Sequence, residues 1–375
     1  MNDDVVYLDH AATTPLRAEA LDAMLPFLTD SFGNPSGSHA VSRRAKQAIE
    51  EARETVADAL GAHPHEVVFT AGGTEADNLA ILGTYETHAG AVVCTTIEHH
   101  AVLHPVEHLG GRVVPVDSDG VVDLDVLART LDDDVVLVSV MLANNEVGVV
   151  QPLADVAAVV RRRAPKAALH TDAVQAFPWL DVADLAADAQ LVSISAHKFG
   201  GPKGVGALVV RDGAEPSPIV FGGGQERDLR SGTHNVAGIV GMAGAARATI
   251  DTRKAVVDRV APLRDRLVDT LVAAVPDAVE TGDRARKVAG NAHVRFRGIE
   301  SEALLVLLDD AGICASAGSA CASGAMEPSH VLSAMGVDRD DALGSLRLSL
   351  GVTTTDADVD RAVAVITDAV ARLRS

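Results

Sequence analysis

The chain's pattern predicts an α/β protein: a mainly parallel sheet covered by helices, with a second, smaller α/β domain. Three observations carry that reading. Between residues 66 and 210, short valine-rich apolar runs alternate with amphipathic stretches of helical period, the rhythm of βαβ units and hence of a parallel sheet. A long helical stretch at 235–275 follows. After it the order changes to strand, helix, loop, helix, strand, helix, which reads as a separate unit. The expected division is a large domain at 16–250, and a small domain made of 1–15 and 251–375.

Each element has a local reason. Residues 7–15 form a short extended piece that stops at Pro15, and 17–29 can form a helix. The segment 32–39 is rich in glycine, proline and serine and too polar for a core. Ser42 is expected to cap a helix that runs to Leu60 and is closed by Gly61. Strands are predicted at 67–70, 91–95, 112–116, 135–140 and 167–172, with two more flanking Lys198 at 189–194 and 205–210, seven in all. Helices are predicted near 75–88, 100–109, 123–131 and 153–163. The small domain has strands at 293–296 and 346–350 and helices at 301–310, from Pro328, and at 355–373. A Gly/Ser/Ala-rich loop lies at 315–326. Ligands of mainly parallel sheets bind beyond the carboxyl ends of the strands.

Composition narrows the classes. With 375 residues, 47% apolar and 22% charged, the chain can bury a sizeable core. Net charge is −20, from 52 acidic and 32 basic residues, which argues against direct nucleic-acid binding. No apolar run reaches the length of a membrane span. The acidic start, Met1-Asn2-Asp3-Asp4, lacks the features of a secretion signal, so a cytoplasmic protein is expected. Three cysteines make no disulfide framework.

Chemistry concentrates at strand ends. Lys198 sits where an apolar strand meets the glycine-rich turn Phe199-Gly200-Gly201-Pro202. Burial or a nearby cation lowers a lysine's pKa and makes its amine a nucleophile, suited to a Schiff base with an aldehyde. Gly72-Gly73-Thr74-Glu75 follows a strand and opens a helix, a place where backbone N–H groups and the helix dipole hold phosphate. A glycine turn capped by Thr74 is the structural alternative. Asp172 ends another strand, where a carboxylate is costly unless paired; a pyridinium nitrogen is one partner, and capping the next helix is another. Together these three match what pyridoxal phosphate needs. His99 follows a strand at the same edge and could stack on a ring and move protons. Cys321 lies among small residues at 316–324, where an exposed thiolate can react; a small residue in a surface turn is the structural alternative. Cys94 and Cys314 read as structural, Cys314 and Cys321 do not match a zinc spacing, and His63 and His65 read as loop surface with no metal.

These residues resemble the cysteine desulfurases, fold-type-I pyridoxal phosphate enzymes of the class V aminotransferase family. The match runs nearly end to end, through Tyr7 to Pro15, Gly33 to Ser36, Gly73 to Asn78, Glu98-His99, Asn144 to Gly148, Asp172 to Gln175, Ser195 to Lys198, Arg230 to Thr233 and Ser316 to Ser323. The resemblance implies that Lys198 holds pyridoxal phosphate covalently and shuttles protons at the substrate α-carbon, and that His99 stacks on the ring as an acid/base. It implies Asp172 at the ring nitrogen and Gln175 at the phenolic oxygen. Gly73, Thr74, Ser195 and His197 would hold the phosphate, with Thr233 reaching in from the partner of a homodimer. Asn144 and Arg347 would bind the substrate carboxylate. Cys321 would take sulfur from L-cysteine, leaving L-alanine, and pass it to a protein acceptor such as an iron–sulfur scaffold or a tRNA-thiolation protein. The Ser316-to-Cys321 pattern resembles the long-loop subgroup. Ala317 stands where a serine is common, and the chain ends soon after its last predicted helix, where relatives carry a longer scaffold-binding tail. A selenocysteine lyase or another class V aminotransferase is the alternative reading.

The acidic surface suits solution at high ionic strength, where self-repulsion is screened. Salt adaptation predicts that the protein loses its fold on transfer from molar to millimolar salt. A far-ultraviolet circular dichroism signal that ignores salt would rule it out.

Overall fold

The computed structural model describes residues 5–317 and 328–375. Its main sheet has seven strands: β1 (Val67–Thr70), β2 (Ala91–Thr95), β3 (Arg112–Val114), β4 (Val135–Ser139), β5 (Ala168–Asp172), β6 (Leu191–Ser195) and β7 (Gly206–Val210). Their spatial order is β1-β7-β6-β5-β4-β2-β3. All neighbours are parallel except β7, which runs against both β1 and β6. That double reversal returns β1 to the direction of β6, so the carboxyl ends of β1, β6, β5, β4 and β2 share one edge. β4, β5 and β6 are covered on both faces, which explains their unbroken apolar runs.

A smaller antiparallel sheet joins β8 (Ala278–Glu280), β9 (Asn291–Phe296) and β10 (Ser345–Ser349) in the order β10-β9-β8. Val6–Tyr7 and Ile313–Cys314 form a short parallel pair beside it. Leu8, Phe296, Leu348 and Ile366 belong to the core around this sheet, whereas Ile49, Phe69 and Val138 belong to one core of the seven-stranded body. One helix of 39 residues, Val236–Ala274, serves both. Its Ile239, Met242 and Ala246 enter the core of the seven-stranded body, and its Leu263, Leu267 and Leu271 enter the other.

Several boundaries differ from the sequence reading. His39, not Ser42, caps the Ala40–Ala59 helix: its ring accepts the Ser42 N–H, while Ser42 is buried within the first turn. Gly61 follows that helix with φ +59°, the left-handed conformation expected of it. β3 stops at Val114 because Pro115 has no N–H for the ladder. The helix expected from Pro328 begins at His330, with Ser329 accepting the N–H groups of Val331 and Leu332. A short helix at Arg339–Leu343 and strand β8 were not foreseen.

A buried ion pair pins the chain near Arg230. Glu226, Arg227 and Asp228 all have positive φ, a conformation that costs non-glycine residues energy. Arg53 grips Glu226 with two hydrogen bonds of 2.7 and 2.8 Å, and Phe69 N–H and His234 also bond to that carboxylate. Burial alone would raise the Glu226 pKa. The hydrogen bonds from Arg53 and His234, together with the Arg53 charge, outweigh it and bring the group down to about 2. Since its folded pKa lies below its unfolded value of 4.5, its contribution is complete above pH 4.5 and is lost as pH falls towards 2. Arg53→Ala is expected to cost about 3–5 kcal/mol in denaturant unfolding, because it strands a buried charge. Glu226→Gln is expected to flatten the loss of stability between pH 4.5 and 2. An unchanged acid profile in that variant would contradict this assignment.

Candidate active site

The shared edge of the sheet gathers the candidate residues. Asp172 ends β5, and Ser195 ends β6 directly before the Ala196–Lys198 turn. Thr70 ends β1 before the Gly73–His88 helix, and β2 leads to His99, the cap of the His100–His108 helix. A cavity of about 430 Å³ opens there; its wall includes Gly73, Thr74, His99, Asp172, Gln175, Ser195, His197, Lys198 and Arg347. A second opening beside it shares Gly73, Thr74, Ser195 and His197 and extends to Gly72 and Asn78.

The glycine turn is shaped by close backbone approach. Gly72 has φ +155°, and a Cβ on Gly206, which opens β7, would lie 2.7 Å from the Gly72 carbonyl carbon. Gly72 rather than Thr74 is the N-cap, and no side chain caps this helix. Among the described residues, the N–H groups of Gly73, Thr74 and Glu75 find no acceptor. They form an anion-binding terminus, with the Ser195 and His197 side chains beside it. Glu75 is engaged elsewhere, bonding to the Ala71 N–H and to Arg230.

Lys198 is clamped by the N-terminal segment. Its Nζ donates to the carbonyls of Ala11 at 2.6 Å and Ala12 at 2.9 Å, and Gln175 Nε2 donates to the same Ala11 carbonyl at 2.7 Å. Thr14 ties the turn from the other side: its N–H and hydroxyl donate to the His197 carbonyl, and its hydroxyl accepts the Gly200 N–H. Thr13 pairs with His197 Nδ1 at 3.1 Å. The motif from Tyr7 to Pro15 is therefore the brace of the lysine turn, a role its sequence did not disclose. Burial, then the Arg347 charge, lowers the Lys198 pKa to about 8 against the pull of Asp172 and Asp9. Burial and the Lys198 charge likewise bring His99 to about 4. His99 Nδ1 accepts the Ala101 N–H at 3.1 Å, which places the ring proton on Nε2.

Asp172 is buried and accepts the Val174 N–H at 2.8 Å. No helix follows directly, so it closes the turn after β5 rather than capping a helix, and it lines the cavity. Asp77, unforeseen from the sequence, lines the cavity too. Burial raises both carboxyls, and Asp77 is raised further by the Asp172 charge. The Val174 N–H and the Lys198 charge oppose that rise at Asp172. Behind them, His170 bonds to Ser139 at 2.8 Å and Ser193 at 3.0 Å and stands 3.6 Å from Asp77. A polar residue one turn inside a helix at a glycine-rich terminus was the available sign of Asp77.

Arg347, mid-strand in β10, reaches across to the large sheet. It pairs with Asp9 at 2.8 Å and donates to the Asn145 carbonyl at 3.1 Å, while its buried Nε finds no acceptor among the described residues. Asn144 is otherwise occupied: its amide donates to the Ile97 carbonyl and accepts the N–H groups of Glu146 and Val147. Its neighbour Asn145 is the asparagine on the cavity wall. Thr233 is exposed and is not part of that wall. Cys321 lies outside the described residues; Ser316, before it, lines the cavity and pairs with the Arg347 backbone. Burial pushes up the thiols of Cys94 and Cys314. His65 is exposed, the surface position expected of it, and the pairing of β1 with β7 brings it with Glu66 and Asp212 to within 4.8 Å.

The arrangement fits pyridoxal phosphate: an uncapped helix terminus for a dianion, a buried carboxylate, an amine and a histidine on one wall. The model of the family described as aminotransferase class-V matches residues 6–362. An IscS-like cysteine desulfurase from Mycobacterium tuberculosis is 49% identical, covering 99% of this chain and 97% of the relative. Among solved structures, a NifS-like protein superposes with a TM-score of 0.92 at 37% identity, covering 98% of this chain and all of that one. SspA in complex with cysteine gives 0.79 at 32% identity, over 92% of this chain and 98% of the other. The fold is that of these enzymes, and the chain belongs to the class V aminotransferase family, on the branch of the cysteine desulfurases.

Proposed function

We propose that the protein is a cysteine desulfurase that uses pyridoxal phosphate to take sulfur from L-cysteine, releasing L-alanine and leaving the sulfur on Cys321. The observation that supports this best is the single cavity wall on which Lys198, Asp172, His99 and Arg347 meet. When bound, pyridoxal phosphate supplies an electron-withdrawing ring that stabilises negative charge on the amino acid joined to it.

The chain's own groups do the rest. Gly73, Thr74, Ser195 and His197 would hold the phosphate, and Asp172 would keep the ring nitrogen protonated. Gln175, already bonded to the Ala11 carbonyl, would serve the phenolic oxygen. Arg347, a planar fork, orients the substrate carboxylate. Lys198, with a pKa near 8, has an appreciable neutral fraction at neutral pH and accepts the α-proton. His99, with its ring proton on Nε2, would face the ring and serve as the acid/base. The Cys321 thiolate then attacks the substrate sulfur: the C–S bond breaks, an S–S bond forms, and the bonding pair stays on the substrate carbon, where a proton completes alanine.

The same proposal covers what lies around the site. The exposed Thr233 suits a role in the partner's phosphate site in a homodimer. The acceptor is a protein, an iron–sulfur scaffold or a tRNA-thiolation protein, in the cytoplasm. No helix among the described residues is long and apolar enough to cross a membrane. The small domain is residues 1–15 and 251–375, and the large one 16–250.

Purified protein mixed with L-cysteine is expected to give equal amounts of alanine and persulfide on Cys321, read by amino-acid analysis and mass spectrometry. Cys321→Ser is expected to lower turnover on the order of a hundredfold or more while the cofactor absorbance stays; full turnover in that variant would favour a selenocysteine lyase or an aminotransferase. Arg347→Lys keeps the charge but loses the fork. It is expected to raise KM for L-cysteine about tenfold with a smaller change in kcat, and an unchanged KM would remove Arg347 from substrate binding.

A further inference from the structure

A second cavity, of about 320 Å³, backs onto the first and shares Ala11, Gln175 and Lys198 with it. Its volume falls within the range of small-molecule sites, and its position between two bodies of the fold is where such sites concentrate. One wall comes from the seven-stranded body, with Arg17, Trp179 and Arg253; the other comes from residues 288–291 and 349–353 beside the small sheet. Trp179 packs against both cores. Two glycines make the room: a side chain on Gly290 would strike the Trp179 ring, and one on Gly351 would strike His10.

The charge here runs opposite to that of the whole chain. In a protein of net charge −20, this wall carries Arg17, Arg253 and Lys198 against the single carboxylate of Glu19. With Lys198 set aside, the arginines still outnumber the acid. Arg17 is partly engaged, its Nε donating to the Phe199 carbonyl at 3.1 Å. Arg253 is not: its Nε and Nη2 are buried with no acceptor among the described residues. It packs over the Phe177 ring, and Asp181 acts on it only through space. His10 is 5% exposed, and both its ring nitrogens are likewise without partners among the described residues. Buried donors left unmet are costly, and an anion in the cavity beside the guanidinium offsets its charge.

We propose that this second cavity binds a small organic monoanion, a carboxylate on an apolar body, with Arg253 taking the carboxylate and Trp179 the body. A zwitterionic amino acid suits it poorly, because its ammonium would meet the same cations. The cavity shares Gln175 and Lys198 with the proposed chemistry, but Arg253 and Trp179, which carry this proposal, take no part in it.

Trp179 is the chain's only tryptophan, so intrinsic fluorescence reports this cavity directly. The holoprotein titrated with cyclohexanecarboxylate is expected to show a saturable fluorescence change with half-saturation in the millimolar range or below. Cyclohexanecarboxamide, of the same shape without the charge, is expected to bind at least about tenfold more weakly. Arg253→Gln, checked for an unchanged melting temperature, is expected to lose about tenfold or more for the carboxylate alone. The wild-type comparison of acid with amide stands even if that variant does not fold. No saturable change up to about 20 mM carboxylate, equal binding of acid and amide, or undiminished binding in a folded Arg253→Gln protein would each overturn the proposal.

Discussion

Burying a lysine amine next to an arginine is the constraint on which the rest of this structure depends. Two cations cannot share a water-poor site without opposition and hydrogen-bond acceptors. Here the acceptors are the Ala11 and Ala12 carbonyls, and the opposing charges are Asp172 and Asp9. Asp9 also pairs with Arg347, so one N-terminal segment answers both cations. That segment can reach the turn only because Thr13 and Thr14 stitch it to His197 and Gly200. The result is a lysine held between its charged and neutral forms, the condition under which an amine both bonds and transfers protons.

Topology turns this local arrangement into a site. The reversal through β7 brings the glycine turn after β1 to the edge where β5 and β6 end. Phosphate-holding N–H groups, carboxylate and amine therefore arrive from three separate strands, each fixed by a buried ladder. The pieces far apart in sequence, Asp9, Asp172 and Arg347, meet because β10, an edge strand of the small sheet, and the N-terminal segment bridged to it lie against that same edge.

Much of this was legible in the residues. The seven strands were visible because parallel, doubly covered strands are apolar without interruption, as in Val135–Ser139 and Leu191–Ser195. The lysine turn, Asp172 and the glycine turn stood out because charge or glycine at the end of such a run demands a reason. What was not legible depended on pairing across long distances. Nothing local in Ala11 marks its carbonyl as an acceptor for Lys198, and nothing in Asn144 says that its amide closes its own loop while Asn145 faces the cavity. His39 displaced Ser42 as a cap because ring nitrogens cap as hydroxyls do, without the usual sequence sign. Strand β8, three residues long, exists only because β9 offers it an edge.

The helix shared by the two bodies has a mechanical consequence. At 1.5 Å per residue, its 39 residues make a beam of about 58 Å, with the first turns set in one apolar interior and the last in another. Pro262 interrupts the hydrogen-bond ladder where the helix enters the second interior, so bending between the two bodies is easiest there.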